Sequence, residues 1–262
     1  MRSRLLLLIA LGLYFSPVVQ AAETPPFPAV QVPAKKLFAG EKLTYALSYL
    51  GMRVGTAEAE IAEKAEFAGR PAYRIEVRVR SHPVIDIVYK VRDEHTAWID
   101  AEKFIPLRYE KKIREGRKRV SEIQVFDYEA GKVRQLSQGG EVLKETPITE
   151  GVQDQLSCGY YFRTLEVNPE SSVFIPVYAE GKIWKLEVIL EKPALMKIDG
   201  VGIFQALEAL PNIEFEGIFV KKGKIRGWLS LDERRIPLKM ETAVPVLGKV
   251  KAELERYEAG KA

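Results

Sequence analysis

Apolar and polar residues alternate along most of this chain, and this period of two constrains the fold more than any other feature. In the first such segment, Leu43, Tyr45 and Leu47 alternate with polar or small neighbours. Successive side chains of a strand point to opposite faces, so the pattern predicts strands with one buried and one solvated face. The pattern recurs at 57–61, 73–79, 107–113, 120–126, 173–179, 183–190, 202–208, 214–220, 223–231 and 249–255.

One segment breaks this alternation and is typical of a helix. Asp154 is a suitable N-cap, and the residues from there to Leu165 are apolar on both sides of a helix. We expect this short helix, at about 154–165, to pack on the concave face of a curved sheet. A second segment, 83–89, fits a short helix and an edge strand equally well.

The number of predicted strands favours a curved sheet over a flat one. A flat sheet of this size would expose an apolar face and two unpaired edges. The sequence therefore predicts an all-β, mainly antiparallel fold, either a large and strongly curved sheet or a half-open β-barrel around the helix.

A repeated hairpin pattern raises the question of whether the sheet forms two similar lobes. Residues 98–110 and 228–241 each contain a Trp, an Asp in a charged turn, and an Ile-Pro-Leu sequence that starts a strand. The repeat fits a single domain over 39–258 that contains lobes at 39–168 and 169–258. Duplication and convergence of two hairpins explain the repeat equally well.

The N-terminal residues 1–21 have the pattern of a secretory signal peptide. Two Arg residues precede an apolar run at 5–13, and Val-Gln-Ala at 19–21 fits a cleavage site. We expect a disordered Pro/Ala-rich lead over 22–38, a periplasmic location and no membrane span after cleavage. The one cysteine, Cys158, is far from this site, so we expect neither lipidation nor an internal disulfide.

The charge distribution argues against a nucleic-acid partner. The chain has 40 Lys and Arg residues against 36 Asp and Glu, a net charge of +4, and the two signs are interspersed. Basic residues do concentrate at 111–119. The favoured interpretation of this segment is a hairpin with solvated charges at its tip, and the alternative is contact with anionic lipid headgroups or lipopolysaccharide phosphates.

Signals for catalysis and metal binding are weak. The two histidines, His82 and His95, do not have the spacing of a zinc site. His95 fits the charged start of a strand better than an acid–base pair, and Cys158 fits a buried thiol better than a nucleophile. We therefore predict no enzyme activity, no catalytic residue, no metal and no cofactor.

Aromatic residues at inward positions are the candidate ligand-binding residues. Ordinary core packing is the favoured interpretation of most of them. The alternative is that part of the concavity is unfilled and binds a lipid or other apolar ligand, with Tyr hydroxyls reaching a headgroup. The candidates are Tyr45, Tyr73, Trp98, Tyr109, Tyr160, Tyr161, Phe162 and Trp228.

Seven short segments, spread over residues 39–257, carry a family resemblance. They are Gly-Glu-Lys-Leu-Thr-Tyr (40–45), Gly-Met-Arg-Val-Gly-Thr-Ala (51–57), Pro-Leu-Arg-Tyr-Glu-Lys (106–111), Gly-Val-Gln-Asp (151–154), Tyr-Tyr-Phe-Arg (160–163), Ile-Pro-Val (175–177) and Asp-Glu-Arg-Arg-Ile-Pro (232–237). Together they resemble the bacterial domain of unknown function 3108 family. The sequence departs from the family pattern at Gln155 and Cys158. The resemblance implies a secreted, usually periplasmic protein with no assigned activity.

The first hairpin is also similar to one in the periplasmic lipoprotein-carrier superfamily. The similarity rests on Trp98, Asp100 and Pro106. It implies a half-open β-barrel that helices close around an apolar cavity for acyl chains, and it is an analogy between short motifs only.

These observations lead to three hypotheses about function. The leading one is a periplasmic, non-enzymatic protein whose curved sheet binds a lipid or other apolar ligand, or docks a partner protein of the envelope. The second is an envelope structural or adaptor protein with a filled core. The third, which nothing in the sequence favours, is a hydrolase of envelope polysaccharide with two acidic groups, or an acid and His95, in a cleft.

Overall fold

The computed structural model describes residues 36–62, 65–215, 218–219, 224–244 and 248–261. The expected signal peptide and almost all of the Pro/Ala-rich lead therefore lie outside the described residues.

The first part of the described chain, up to residue 147, consists mostly of strands. One short helix, α1 (Pro83–Asp86), interrupts the strands, so the helical alternative for segment 83–89 is confirmed. The strands are β1 (Lys42–Tyr49), β2 (Met52–Ile61), β3 (Ala65–Phe67), β4 (Arg70–Ser81), β5 (Arg92–Asp100), β6 (Pro106–Glu115), β7 (Lys118–Asp127), β8 (Lys132–Leu136) and β9 (Val142–Pro147).

A second helix, α2 (Ser157–Thr164), separates these strands from the remaining ones. The later strands are β10 (Ser172–Ala179), β11 (Lys182–Leu190), β12 (Ala194–Ile198), β13 (Gly202–Phe215), β14 (Ile218–Phe219), β15 (Lys224–Ser230), β16 (Pro237–Val244) and β17 (Gly248–Glu258).

All these strands belong to one antiparallel sheet, which confirms the predicted all-β class. From β4 to β9, each strand pairs with the next one along the chain. At the centre, β1 pairs with β2 on one side and with β17 on the other, so the sheet is continuous between the two ends of the chain. The order then continues through β16, β15, β13 and β11 to β10 at the other edge.

Tight turns with a glycine as the second central residue connect the two strands of several hairpins. Both central residues have positive φ in Leu50-Gly51, Ala68-Gly69 and Glu180-Gly181. This backbone conformation matches the twist of the flanking strands, and glycine adopts it without steric cost.

The segment before α2 brings the two edges of the sheet together. Gln153 forms a parallel bridge with Val177 of β10, and its amide donates to the carbonyl of Pro176 at 2.8 Å. On the other edge, Thr146 of β9 donates through its hydroxyl to Gly181 at 3.5 Å. The curved sheet is thus a half-open barrel whose edge strands are bridged at this point.

Helix α2 fills part of the concave face, as the sequence predicts. Its side chains Tyr160, Tyr161 and Phe162, and Leu165 just after it, belong to the main core cluster. Regular helix begins at Ser157, three residues later than expected, because Asp154 caps the turn before it. The Asp154 carboxylate accepts from the amides of Leu156 at 2.6 Å and Ser157 at 2.8 Å.

The two repeated hairpins have the same backbone construction. Each has a register shift at its Trp, between Trp98 and Ile99 and between Trp228 and Leu229. In each turn an Asp carboxylate accepts two backbone amides, and a residue with positive φ precedes the Ile-Pro pair. The sequence repeat therefore reflects a repeated structure.

Both hairpin turns bind the segment that contains α2. The Phe104 carbonyl of the first turn accepts from the Gln153 side chain at 3.2 Å, and the Arg234 carbonyl of the second accepts from Arg163 at 3.0 Å. Gln153 and Arg163 are both buried. The helix is thus held at both ends by polar contacts to equivalent turns.

A buried ion pair strengthens the second of these contacts. Arg163 contacts both carboxylate oxygens of Glu41, at 2.7 and 2.8 Å, and the two side chains are 3% and 1% exposed. The Arg163 guanidinium also lies over the ring of Tyr160, 5.3 Å from its centroid. Removal of one partner would leave the other charge unpaired in the core, which is the costly case for buried ion pairs.

We predict that Arg163→Met lowers the free energy of unfolding by about 3–5 kcal/mol, because Glu41 then remains buried without its partner. The double variant Glu41→Leu/Arg163→Met removes both charges and should recover most of this loss. Urea unfolding of the wild type and the two variants measures both quantities. A loss below about 1 kcal/mol in the single variant would mean that water reaches Glu41.

Candidate functional site

Five side chains from neighbouring strands form one row on the concave face. They face each other in register across β2, β4, β5, β6 and β7. We call this row, together with Gln155 from the segment before α2, the inner crevice. The members of the row are Ala59, Val77, His95, Lys111 and Glu122.

The inner crevice lies between two rows that are closed to solvent. On the side of α2, the next row is fully buried and consists of Ile61, Ile75, Ala97, Tyr109 and Gln124. On the other side, Ala57, Val79 and Asp93 are also buried. Ala59, Val77, His95 and Lys111, by contrast, keep part of their surface accessible.

This accessibility implies space inside the curved sheet. A residue in the middle of a concave face keeps accessible surface only if a space at least as wide as a water molecule lies against it. The row also lies where two core clusters meet, since Tyr109 belongs to the cluster of α2, while Ala59 and Val77 pack on the cluster around Tyr45 and Leu47.

The crevice is apolar at one end and polar at the other. Ala59 and Val77 form the apolar end. At the polar end, the Lys111 ammonium lies 2.8 Å from Glu122, and the two side chains are 12% and 9% exposed. Lys111 also donates to the Gln155 side-chain oxygen at 3.4 Å. The Gln124 amide donates to Glu122 at 2.7 Å and fixes the carboxylate from below.

His95 lies between the two ends and is neutral near pH 7. Burial, with a smaller effect from the Lys111 charge, lowers the pKa of His95 to about 4. Its Nδ1 is 2.8 Å from the hydroxyl of Tyr109. Burial raises the pKa of Tyr109, so this hydroxyl keeps its proton, and it also donates to the Gln155 side-chain oxygen at 3.5 Å.

Two further groups near the crevice have raised pKa values. Burial raises the pKa of Asp154 to about 6, although two backbone amides stabilise its charged form. Burial and the Asp154 charge raise the pKa of Cys158 to about 12, so its thiol stays protonated and is a poor nucleophile. The Cys158 thiol donates to the Gln155 carbonyl at 3.4 Å.

Of the eight aromatic candidates, Tyr109 contacts side chains of the crevice, with its hydroxyl 2.8 Å from His95 Nδ1 and 3.5 Å from Gln155 Oε1. Tyr45, Tyr73, Tyr160, Tyr161 and Phe162 are packed in the core, none more than 7% exposed. The Tyr45 hydroxyl is used by the fold itself, because it donates to the Pro237 carbonyl at 2.8 Å.

Trp98 lies on the convex face instead of the inward face that the sequence pattern predicts, whereas Trp228 is half-buried and packs on the second core cluster. Ala97 and Ile99, on either side of Trp98, are buried on the concave face, so Trp98 points away from it. Trp98 contacts the Phe67 ring. Trp228 has the cationic groups of Arg226 and Lys239 4.9 Å from its ring centroid. The register shifts near both Trp residues change which residues share a face.

The interpretation of segment 111–119 as solvated charge is wrong for part of it. Lys111 and Glu115 point to the concave side, where Glu115 is 4% exposed. His95 lies just after the charged start of β5, as predicted, but its side chain is inside the curved sheet. The signal was present in the sequence: Lys111 has the same parity as Leu107, Tyr109 and Ile113, and Glu122 the same parity as Phe126.

The described part of the chain supports neither a metal site nor a membrane-spanning helix. Within it, no three His, Cys, Asp or Glu side chains lie close enough together to hold a metal ion. Of the helices described, none is long and apolar enough to cross a membrane.

Comparisons with known proteins agree with this architecture. The family model described as protein of unknown function (DUF3108) matches residues 44–255. A β-barrel-like protein of domain of unknown function DUF1849 from Brucella abortus has a similar structure, with a TM-score of 0.58 and 11% identity. That similarity covers 86% of this chain and 100% of the other. It supports the barrel-like fold alone.

Weaker structural similarities come from two other bacteria. A protein with a YmcC-like fold from Bacteroides fragilis NCTC 9343 gives a TM-score of 0.31 at 11% identity, covering 87% of this chain and 99% of the other. A hypothetical protein from Chlamydia trachomatis gives 0.33 at 10% identity, covering 86% and 89%. No curated protein sequence matches the chain.

We predict that His95→Gln makes the protein more resistant to acid. In the unfolded chain His95 binds a proton below about pH 6.5, whereas in the folded chain it does so only near pH 4, so stability falls as pH drops through this range. The variant should lose about 2–3 kcal/mol less than the wild type between pH 7 and pH 4.

Urea unfolding at several pH values measures this difference, and His82→Gln is the matched control because His82 is exposed. The raised pKa of Asp154 has the opposite effect over the same pH range, and it is present in all three proteins. If the wild type and His95→Gln lost the same free energy of unfolding between pH 7 and pH 4, that result would contradict a neutral, buried His95.

Proposed function

The chain belongs to the DUF3108 family of proteins of unknown function, and from this premise we propose that it is a periplasmic protein that binds an amphipathic ligand in the inner crevice. The observation that carries the proposal is the row of partly accessible side chains between two closed rows of core residues. The signal-peptide pattern at residues 1–21 supports the periplasmic location.

The two ends of the crevice suit a ligand with an apolar body and a polar head. Ala59 and Val77 offer aliphatic surface, against which a chain or ring gains free energy by leaving water. Beside them, the neutral His95 imidazole and the Lys111 ammonium offer polar contacts, and the Glu122 and Gln155 oxygens are acceptors. A few convergent polar groups at the end of an apolar surface are typical of sites that orient a small ligand.

The protonation states favour binding over catalysis. A general base works best when its pKa is near the working pH, and a group with a pKa of about 4 has little affinity for a proton at neutral pH. Glu122 is occupied by Lys111 and Gln124. Cys158 keeps its proton. The hydrolase hypothesis therefore receives no support from the groups that the crevice brings together.

A second candidate function is that of an envelope adaptor with a filled core. The observation in its favour is the burial of Tyr45, Tyr73, Tyr160, Tyr161 and Phe162, which serve as packing residues of the fold. In that case the crevice would hold water only, and partners would bind the outer surface.

The test is binding of a fluorescent fatty acid to the purified chain, combined with native mass spectrometry for lipids that co-purify. Val77→Phe adds bulk at the apolar end of the crevice and should reduce binding by about tenfold or more, since about 1.4 kcal/mol is a factor of ten. Thr96→Phe is the matched control, because Thr96 lies on the opposite face of the adjacent strand, next to His95.

Equal binding by wild type and Val77→Phe would place the ligand elsewhere. Absence of both co-purified lipid and fatty-acid binding in the wild type would contradict the ligand-binding proposal and favour the adaptor. Both variants should keep the melting temperature within a few degrees of the wild type, which checks that the fold is intact.

A further inference from the structure

Four arginines form one row on the convex face of the sheet. Arg80 faces Arg92 across β4 and β5, and Arg114 faces Arg119 across β6 and β7. The register between β5 and β6, with Glu94 opposite Lys112 and the bridge between Val91 and Glu115, places Arg92 opposite Arg114. The row therefore crosses four adjacent strands.

Such a row is unfavourable for the isolated fold. Like charges directly opposite each other in a sheet repel and destabilise it. Among the described residues, the one ion pair formed by this row is that of Arg92 with Asp86. Arg80, Arg114 and Arg119 are exposed. A stretch of sheet that concentrates one sign of charge is suited to a partner of the opposite sign.

Exposed apolar side chains lie beside this row, at the end of α1. Val84 is 66% exposed, and Ile87 and Val88 are each 85% exposed. Ile85, which lies between them in sequence, instead packs on the second core cluster. The short helix is thus anchored by one side chain and presents the other three to solvent.

Direct contacts hold the apolar tip and the basic residues together. Asp86 of α1 binds Arg92 of the row. The amide of Gly116, in the turn between β6 and β7, donates to the carbonyl of Lys90 at 2.8 Å. The Tyr89 ring lies so close under Gly116 that a Cβ at this position would come within 2.8 Å of it. This contact fixes the exposed Arg117 beside the exposed Lys90.

We propose that this surface docks the protein on an anionic phospholipid bilayer. We name it the basic rim, and it consists of Arg80, Lys90, Arg114, Arg117 and Arg119 with the apolar tip Val84, Ile87 and Val88. Lipid phosphates neutralise the arginine row, and the tip enters the boundary between headgroups and acyl chains. The combination of exposed apolar side chains with mainly basic neighbours fits a membrane surface better than it fits a folded acidic protein.

The experiment is co-sedimentation of the purified chain with phosphatidylcholine vesicles that contain or lack phosphatidylglycerol. We expect binding to the anionic vesicles alone, and weaker binding as salt increases, because exposed charges are screened. Arg80→Gln/Arg114→Gln should weaken binding about fivefold for each charge removed. Ile87→Ser/Val88→Ser should weaken it at least about tenfold.

The matched control is Lys103→Gln, which removes an exposed charge from the turn at the other end of β5 and β6 and should bind like the wild type. The crevice variant Val77→Phe should also bind vesicles normally. The vesicle assay and the fatty-acid assay therefore test the two proposals separately. No sedimentation with anionic vesicles, equal sedimentation with both vesicle types, or unchanged binding by the rim variants would each overturn the proposal. The first of these outcomes would favour a protein partner for this surface.

Discussion

The fold depends on how the apolar concave face of one long, curved sheet is kept from water. The segment from Gln153 to Leu165 does this, and it is held by polar contacts rather than by hydrophobic burial alone. Gln153 and Arg163 donate to the turns of the two equivalent hairpins, and Arg163 is neutralised by Glu41 at the start of the sheet. Because these partners are far apart in sequence, the helix, both hairpins and the strand β1 depend on one another.

The same arrangement explains why an accessible crevice remains. Helix α2 is short, and its large side chains belong to the same core cluster as Ile75 and Tyr109, whereas Val77 packs on the other cluster. An apolar core could have been completed there with larger aliphatic residues. Instead the row contains His95, Lys111 and Glu122, whose burial costs free energy that their mutual contacts offset only in part. Residues that cost stability in this way are typical of sites under functional constraint.

The alternation of the sequence predicts most of the long strands, the curvature and the position of the helix, but not the short strands β3, β8, β9 and β12. The alternation does not predict which residues form the inner crevice. Parity places Lys111 beside Tyr109 on the concave face, but the run of basic residues at 111–119 is also typical of a solvated hairpin tip. For Trp98 the reason is different, because the register shift at this residue lies in its pairing with the next strand along the chain and is not visible in the alternation. Likewise, contact between the tip of α1 and the turn at Gly116 depends on tertiary structure.

The crevice and the basic rim are built on the same strands, and this links the two proposals. In β4, Val77 points into the crevice and Arg80 belongs to the rim, three residues or about 10 Å further along the strand. In β6 the corresponding residues are Lys111 and Arg114. The rim therefore runs parallel to the crevice row, at the same offset from Val77 at the apolar end as from Lys111 at the polar end. A bilayer bound at the rim would lie close to the whole crevice, so an amphipathic ligand would cross only a short distance between membrane and protein and expose little apolar surface to water.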